Sequence, residues 1–175
     1  MTRLQGLAPV VSPATRVLVL GSFPGARSLQ LQQYYAHPQN RFWSILEQLW
    51  PQAGWPADAD YAGRCACALA QGLGIWDVYA SCEREGSLDS AIRAAQLNDF
   101  AGLLRQCPQL TCIAHNGGES FRHARAVEQS LAHAGLTGRV QIHKLPSTSP
   151  ANASWTFERK LAAWRAVMQE QGLLA

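Results

Sequence analysis

Residues 34–43 of this 175-residue sequence, YYAHPQNRFW, contain an unusual density of side chains that could do chemistry. Tyr35 offers an aromatic face on which a planar ligand can stack, although a partly buried core tyrosine would show the same pattern. Asn40 offers an amide that both donates and accepts hydrogen bonds, and it also stands where it could cap a following helix. His37 can brace the loop or act as a general base. Because a plain connector needs none of these groups, the segment is a candidate wall of a binding pocket.

Three other segments combine turn residues with hydrogen-bonding groups. GSFPG at 21–25 lets the backbone bend and approach a ligand, but it lacks the G-x-G-x-x-G and G-K-[ST] patterns of nucleotide sites. HNGG at 115–118 places Asn116 where it could read a hydrogen-bonding edge or satisfy its own backbone in a turn. PSTSPANA at 146–153 supplies hydroxyls between prolines, which suits phosphate contacts and is also typical of the approach to a helix.

An alternation of predicted strands and helices connects these polar segments. Short apolar runs predict strands at residues 16–20, 74–79, 110–114 and 139–145. Apolar periodicity and capping residues predict helices at 41–50, 63–71, 87–96 (capped by Ser87) and 120–134, and a last helix capped by Ser154. Such alternation implies a parallel sheet with helices on both faces, which binds ligands beyond the carboxyl ends of its strands. GSFPG, HNGG and PSTSP each follow a predicted strand, so we expect them to meet at that edge.

Composition indicates one folded domain spanning residues 1–175. Hydrophobic residues make up 47% and charged residues 15%, which excludes a disordered chain. The net charge is +3, with 13 arginines and two lysines. Arginine suits phosphate, so a nucleic-acid partner is permitted, but a GC-rich genome would produce the same bias. No apolar run approaches the ~20 residues of a membrane span, and residues 1–16 show no signal-peptide pattern.

The five cysteines bear on compartment and on metal binding. Their odd number, without a disulfide-scaffold pattern, favours a reducing cytoplasm. Cys65 and Cys67 form a C-x-C pair, which permits a zinc or iron–sulfur site but matches the usual C-x-x-C spacing poorly. We therefore expect ordinary free thiols, no metal and no cofactor.

Five segments, in chain order, resemble the uracil-DNA glycosylase superfamily, and within it the DNA-deoxyinosine (hypoxanthine-DNA) glycosylase branch. They are GSFPG, YYAHPQNRFW, GIWDVYASCEREGSLDSAI, NGGES and LPSTSPANA, and they lie within residues 21–153. HPQNRFW is also similar to the corresponding segment of mismatch-specific uracil glycosylases. The resemblance implies an α/β fold, a three-layer α/β/α sandwich with a short central, mostly parallel four-stranded sheet. It also implies a monofunctional, hydrolytic enzyme that removes a deaminated base from DNA and leaves an abasic site.

The resemblance further assigns roles to individual residues. Many superfamily members carry Asn or Asp in the first loop to position the attacking water, but Phe23 stands there, so the role passes to Asn40 of the HP-x-N-R-F-W motif. Tyr35 is expected to stack on the flipped base, Phe23 to close its pocket and Asn116 to read the base edge. Support for the pocket is expected from Gly21, Ser22, Pro24, Gly25 and His37. Contacts to DNA phosphates and to the gap left by the flipped nucleotide are expected from Ser147, Thr148, Ser149, Ala151 and Asn152.

The chemistry sets limits on these roles. Cleaving an N-glycosidic bond develops positive charge on the sugar and negative charge on the base, so the protein must extrude the base, hold it and supply water. No lysine lies in the five segments, which argues against a Schiff-base mechanism. Residues 83–90 stay open between two readings. In one, Ser81, Arg84 and Ser87 contact phosphate while Asp77 and Glu85 orient an arginine; in the other, the block is a solvated loop that leads into a helix.

Several functions remain open at this point. The same fold could act on hypoxanthine or on uracil, the latter in mismatches or in single strands. A non-catalytic module that binds damaged DNA would keep Tyr35 and the serine-rich loop but would not need Asn40. A small-molecule hydrolase would need a nucleophile–base pair, for which the sequence has no signature. We expect DNA containing a deaminated base as the partner, no membrane association and a monomer.

Overall fold

The computed structural model describes residues 2–175, which form two β-sheets flanked by α-helices. The strands are β1 (Arg3–Gln5), β2 (Val17–Gly21), β3 (Leu73–Asp77), β4 (Tyr79–Glu83), β5 (Arg93–Leu97), β6 (Cys112–Asn116) and β7 (Gln141–Leu145). The helices are α1 (Ala26–Leu31), α2 (Phe42–Leu49), α3 (Tyr61–Ala70), α4 (Phe100–Arg105), α5 (Gly118–Phe121), α6 (Ala124–His133) and α7 (Phe157–Glu170).

The central sheet has four parallel strands in the order β3-β2-β6-β7, which confirms the predicted sheet. β2, β3 and β6 are buried along their whole length, and this explains why their sequences are apolar runs rather than alternating patterns. The register pairs Gly21 with Asp77 and Asn116 with Leu145. The last residues of the four strands therefore form one row at the carboxyl edge of the sheet.

Helices cover both faces of this sheet, which confirms the three-layer arrangement. α2 packs against α7, and α4 packs against α6. The crossover from β2 to β3 and the crossover from β3 to β6 run in opposite directions, so right-handed connections place their helices on opposite faces. On the α2–α7 side, the Phe42 and Trp164 rings meet edge to face at 5.9 Å between centroids. The fold thus delivers the carboxyl edge of the sheet, with its loops, to a single end of the molecule.

A second sheet of three antiparallel strands, in the order β1-β4-β5, was not predicted from the sequence. The helix predicted for residues 87–96 is wrong, because residues 93–97 form β5 and only Asp89–Ala91 make a single 3-10 turn. The alanines of this segment favour a helix locally, but pairing with β4 satisfies the backbone groups of an otherwise open strand edge. Ser87 caps no helix, and its hydroxyl accepts a hydrogen bond from the Ala26 amide at 2.8 Å.

Smaller corrections concern element boundaries. The predicted strand 74–79 ends at Asp77, and the chain passes almost directly into β4. The predicted helix 120–134 is divided into α5 and α6. α7 is capped by Thr156, whose hydroxyl accepts from the Arg159 amide at 3.2 Å, rather than by Ser154. No helix formed by residues 2–175 has the length and apolar character that crossing a membrane requires.

Candidate active site

The carboxyl edge of the central sheet contains a buried carboxyl group without a partner. Asp77, the last residue of β3, is 5% exposed, and its Oδ2 makes no hydrogen bond to any of residues 2–175. Its neighbour across the sheet must be glycine, because a Cβ on Gly21 would lie 2.5 Å from Asp77 Oδ1 and 3.2 Å from the Tyr35 hydroxyl. Buried polar atoms are nearly always paired in folded proteins, so this unpaired carboxyl oxygen, at the edge of the sheet where ligands bind, is a candidate functional group.

Electrostatics distinguish this carboxyl group from an ordinary aspartate. Burial and, to a smaller extent, the Asp89 carboxylate raise the pKa of Asp77, the Arg84 guanidinium opposes the shift, and the net result is a pKa of about 7. Asp77 can therefore be neutral near physiological pH and can donate a hydrogen bond, or it can ionise and accept one. Titratable groups with this property are concentrated at functional sites.

Tyr35 lies against this carboxyl edge with a constrained backbone and ring. Its φ of 55° is in the left-handed region, which is uncommon for a residue with a side chain. One face of its ring stacks on Phe42, with centroids 4.1 Å apart and planes inclined by 26°. Its hydroxyl accepts a hydrogen bond from Asn116 Nδ2 at 3.2 Å, and burial raises the pKa of the phenol, so the hydroxyl stays protonated. The ring is thus held rigidly, with one face already occupied.

Asn40 stands at the start of α2, and its two amide atoms have different surroundings. Oδ1 accepts a hydrogen bond from the Phe42 amide at 2.9 Å, the first amide of α2, although the N-cap residue of that helix is Arg41. Nδ2 makes no hydrogen bond within the described part of the chain, and the residue is only half-buried. Asn40 therefore supports the start of α2 through Oδ1 and keeps a free donor in Nδ2. His37 is exposed, and its Nδ1 accepts from the Gln39 amide at 3.1 Å, which braces the turn before Asn40.

Asn116 fastens the serine-rich loop to the sheet. Its Oδ1 accepts from the Thr148 amide at 3.0 Å, and its Nδ2 donates to the Thr148 hydroxyl at 3.0 Å as well as to Tyr35. Thr148 is fully buried, so a contact between its side chain and a phosphate would require the loop to open. The Thr148 carbonyl in turn accepts from the Arg41 amide at 3.0 Å, which joins the loop to the start of α2. The Asn116 amide therefore joins three of the predicted segments.

The GSFPG loop is braced by the segment that follows β4. The guanidinium of Arg84, which is 5% exposed, lies 5.3 Å from the Phe23 ring centroid and donates to the Pro24 carbonyl at 2.7 Å. Ser22 donates to Asp89 Oδ1 at 2.8 Å, so a second contact ties the two segments together. Phe23 is buried in the hydrophobic core, so its side chain anchors the GSFPG loop to the interior of the protein.

The structure decides most of the questions that the sequence left open for residues 83–90. Arg84 and Ser81 are buried, the latter between Arg3 and Gln96, so neither contacts phosphate. Ser87 bonds to the α1 backbone close to Gly25. Residues 85–90 are exposed, so the solvated-loop reading holds for them, but they lead into a single 3-10 turn and β5 rather than into a helix. Within this block, Arg84, Ser87 and Asp89 support the GSFPG loop and the start of α1.

The remaining residues of the serine-rich loop keep hydrogen-bonding capacity for a ligand. The hydroxyls of Ser147 and Ser149 accept from the backbone amides two residues later, at 3.1 and 3.2 Å. Each hydroxyl hydrogen remains available, and both residues are half-buried. Asn152 donates to the Ser147 carbonyl at 3.1 Å, which closes the loop, and Ala151 is exposed at its tip.

Comparison with known proteins identifies the family. The family model described as the Uracil DNA glycosylase superfamily matches residues 8–168. The chain belongs to the uracil DNA glycosylase superfamily. It is 34% identical over 170 residues to a hypoxanthine DNA glycosylase of Methanosarcina acetivorans, covering 94% of this chain and 98% of the relative. It is also 34% identical over 116 residues to a hypoxanthine DNA glycosylase of Methanosarcina barkeri, covering 66% and 72%.

A solved structure agrees with this assignment. The solution NMR structure of a candidate uracil DNA glycosylase from Methanosarcina acetivorans superposes with a TM-score of 0.79 at 30% identity, covering 98% of this chain and 99% of that one. The predicted superfamily, branch and fold are therefore confirmed.

Sequence reasoning about this superfamily member missed the most distinctive group of the site. Asp77 was considered only as a partner for an arginine, although its position at the end of a buried strand placed it in the same row as Gly21 and Asn116. That row is the signal that could have found it. Residues 2–175 contain no cluster of histidine, cysteine and carboxylate side chains able to hold a metal ion.

Replacing Gly21 by alanine tests the packing of this superfamily site. The added methyl group would displace the Asp77 carboxyl group, from which it would lie 2.5 Å. We expect Gly21→Ala to lower the free energy of unfolding by about 1–3 kcal/mol and to lower activity on the substrate at least tenfold. Urea unfolding and a turnover assay measure the two effects.

Gly118→Ala is the matched control, because its Cβ would lie 3.9 Å from the nearest atoms, those of Lys144. Equal effects of the two substitutions would contradict a specific role for the close approach of Asp77 to Gly21.

Proposed function

We propose that this protein is a monofunctional DNA glycosylase that flips hypoxanthine out of DNA containing deoxyinosine and hydrolyses its N-glycosidic bond. The observation that carries the proposal is the unpaired, buried carboxyl group of Asp77 at the carboxyl edge of the sheet, within a cluster formed by Gly21, Tyr35 and Asn116. Two relatives named hypoxanthine DNA glycosylases, at 34% identity, support the substrate.

The edge of hypoxanthine that pairs in DNA carries an N–H donor beside a carbonyl acceptor. Neutral Asp77 can donate a hydrogen bond to the carbonyl and accept one from the N–H, which a single carboxyl group does with its two oxygens. The neutral form also suits the reaction, since the departing base takes up negative charge that an ionised carboxylate would repel. Tyr35 would stack on the base through the ring face that Phe42 leaves free.

Asn40 is the candidate for positioning water. Its Oδ1 accepts a hydrogen bond from the Phe42 amide, and this bond fixes the orientation of the side-chain amide. Nδ2 has no hydrogen-bond partner among residues 2–175. A donor in this position can hold the attacking water or the leaving base. Asn116, in this view, holds the pocket together, because its amide is already bonded to Tyr35 and Thr148.

The lysines support hydrolysis without strand cleavage. Lys144 Nζ lies 5.8 Å from the centroid of the Phe121 ring, and Lys160 donates to the Ser149 carbonyl. Within residues 2–175 neither forms a hydrogen bond or ion pair with Asp77, Tyr35 or Asn40, so no amine stands ready to form a Schiff base. The product would be an abasic site.

We infer a cytoplasmic monomer that acts on DNA. All five cysteines are free, which supports a reducing compartment. DNA contacts would come from Ser147, Ser149, Ala151 and Asn152, beside the pocket.

The test uses labelled oligonucleotides that carry deoxyinosine, deoxyuridine or no lesion. Each is incubated with the protein and then treated with hot alkali, which cuts the strand at abasic sites. We expect alkali-dependent cleavage at deoxyinosine. Cleavage mainly at deoxyuridine would assign the chain to uracil instead, since uracil carries the same N–H and carbonyl edge. Binding without cleavage would leave a recognition module.

A further inference from the structure

A groove of about 310 Å³ lies beside the serine-rich loop, at the N-terminal end of α7. Its walls include Arg41, Asn152, Trp155, Phe157 and Lys160. None of these except Asn152 belongs to the predicted site. The groove adjoins that site, however, because Arg41 follows Asn40 and its amide bonds to the Thr148 carbonyl at 3.0 Å.

The cations around this groove are held by aromatic rings rather than by carboxylates. The Arg41 guanidinium lies 5.6 Å from the centroid of Phe157, and that of Arg159, next to the groove, lies 4.2 Å from the centroid of Trp155. A cation–π contact orients a guanidinium without neutralising its charge or using its N–H donors. Within residues 2–175, neither arginine lies within 4.0 Å of a carboxylate oxygen.

Lys160 adds a third positive charge at the same place. Its side chain is buried and its Nζ donates to the Ser149 carbonyl at 3.3 Å. Burial and the neighbouring Arg41 charge both lower the pKa of Lys160. The acidic residue nearest in sequence, Glu158 in the first turn of α7, is exposed and forms no ion pair with Lys160 in the described chain. Three uncompensated cations around one groove are suited to a polyanion.

We propose that this groove binds the sugar–phosphate backbone of the DNA strand beside the flipped nucleotide, with Arg41 and Arg159 as its phosphate-binding side chains. The proposal rests on the proposed function only for the position of the lesion, since the groove would bind DNA backbone in any case. Trp155 and Phe157 act as platforms that hold the two guanidinium groups in place. A single segment of backbone is the committed occupant because the charged residues that line the groove, Arg41 and Lys160, are both positive.

The first test measures binding to lesion-free duplex DNA by fluorescence anisotropy over a range of salt concentrations. We expect Arg159→Gln to reduce the slope of log Kd against log salt by about 1 and to weaken binding about tenfold at 0.1 M salt. Trp155→Ala should have a similar effect, and Trp155→Phe should restore wild-type binding. Arg125→Gln is the control, because Arg125 is exposed on α6 on the opposite face of the sheet. Equal slopes for wild type, Arg159→Gln and Arg41→Gln would overturn the proposal.

The second test locates the phosphates. Single phosphates flanking deoxyinosine are replaced by uncharged methylphosphonates, and binding is measured for wild type and Arg159→Gln. Replacing a phosphate that Arg159 contacts should weaken the binding of wild type but not that of Arg159→Gln. Such a result is non-additive coupling between the phosphate and the arginine. Additive effects at every flanking position would refute the assignment to this strand. A protein that showed the salt effects but removed no hypoxanthine would retain the groove and lose the proposed function.

Discussion

Asn40→Ala is expected to lower the rate of hypoxanthine excision by about 10²–10³-fold while DNA binding is retained. The amide Nδ2 has no hydrogen-bond partner among residues 2–175 and can bind water or the leaving base, and losing one oriented donor in an active site has an effect of this size. The substitution also removes the hydrogen bond that Oδ1 accepts from the first amide of α2, which costs about 0.5–1.5 kcal/mol of stability. Single-turnover excision with deoxyinosine DNA, together with thermal unfolding, measures both consequences.

Asn40→Ser separates a catalytic role from the hydrogen bond that Asn40 accepts from the first amide of α2. Serine can still accept the hydrogen bond from the Phe42 amide, so stability should stay close to wild type, but it has no amide donor at the same reach. We expect Asn40→Ser to unfold like wild type and to excise as poorly as Asn40→Ala. If Asn40→Ser recovered both stability and excision, the residue would only support the start of α2.

Asp77→Asn is expected to change the pH dependence of both activity and stability. The pKa of about 7 means that neutral Asp77 becomes scarcer by about tenfold for each pH unit above 7. If the neutral form acts on the base, wild-type kcat/KM should fall about 100-fold from its plateau by pH 9. Asparagine is neutral at every pH and keeps a donor and an acceptor, so its profile should be flat. Asp77→Leu, which has neither, should be inactive throughout.

Asp77→Asn is expected to stabilise the protein at high pH, where the wild-type carboxyl group is ionised. Well below pH 4, Asp77 is neutral in the folded and the unfolded chain, so its burial causes no pH-dependent loss of folding free energy. Between pH 4 and 7 only the unfolded chain ionises, so wild-type stability falls as pH rises, and above pH 7 the penalty is complete. The difference between a pKa of 3.8 in the unfolded chain and about 7 in the folded chain corresponds to on the order of 4 kcal/mol of folding free energy. Asp77→Asn should therefore raise the free energy of unfolding at pH 9 by about 2–4 kcal/mol, and not at pH 4.

Chemical unfolding at both pH values measures this effect, and Asp58→Asn, in an exposed loop, is the control. A pH-independent difference between wild type and Asp77→Asn, or a flat wild-type activity profile between pH 6 and 9, would exclude a neutral Asp77 as the acting group. If wild-type activity falls above pH 7 and Asp77→Asn is more stable than wild type at pH 9, the site is maintained at a cost in stability, as is common for functional groups.

Some of the architecture follows from the sequence for simple physical reasons. Strands buried on both faces need continuous apolar residues, so VLVL and the run ending at Ala114 were recognisable. The topology of parallel sheets then places the following loops at one edge, which is why GSFPG, HNGG and PSTSP could be predicted to meet. Residues 87–96 were mispredicted because their local helix preference is weaker than the backbone pairing with β4.

Hydrogen-bond partners depend on segments that are distant along the chain. Asn116 bonds to Thr148, 32 residues later, and to Tyr35, 81 residues earlier, so its part in holding the loops together has no local signature. The sequence by itself determined the superfamily, the parallel sheet and the group of loops at its edge, because apolar patterning and motif residues are local properties. Only the tertiary structure decided that Asp77 is buried without a partner, since its pKa and its isolation depend on Gly21, Tyr35 and Arg84 brought together from separate segments.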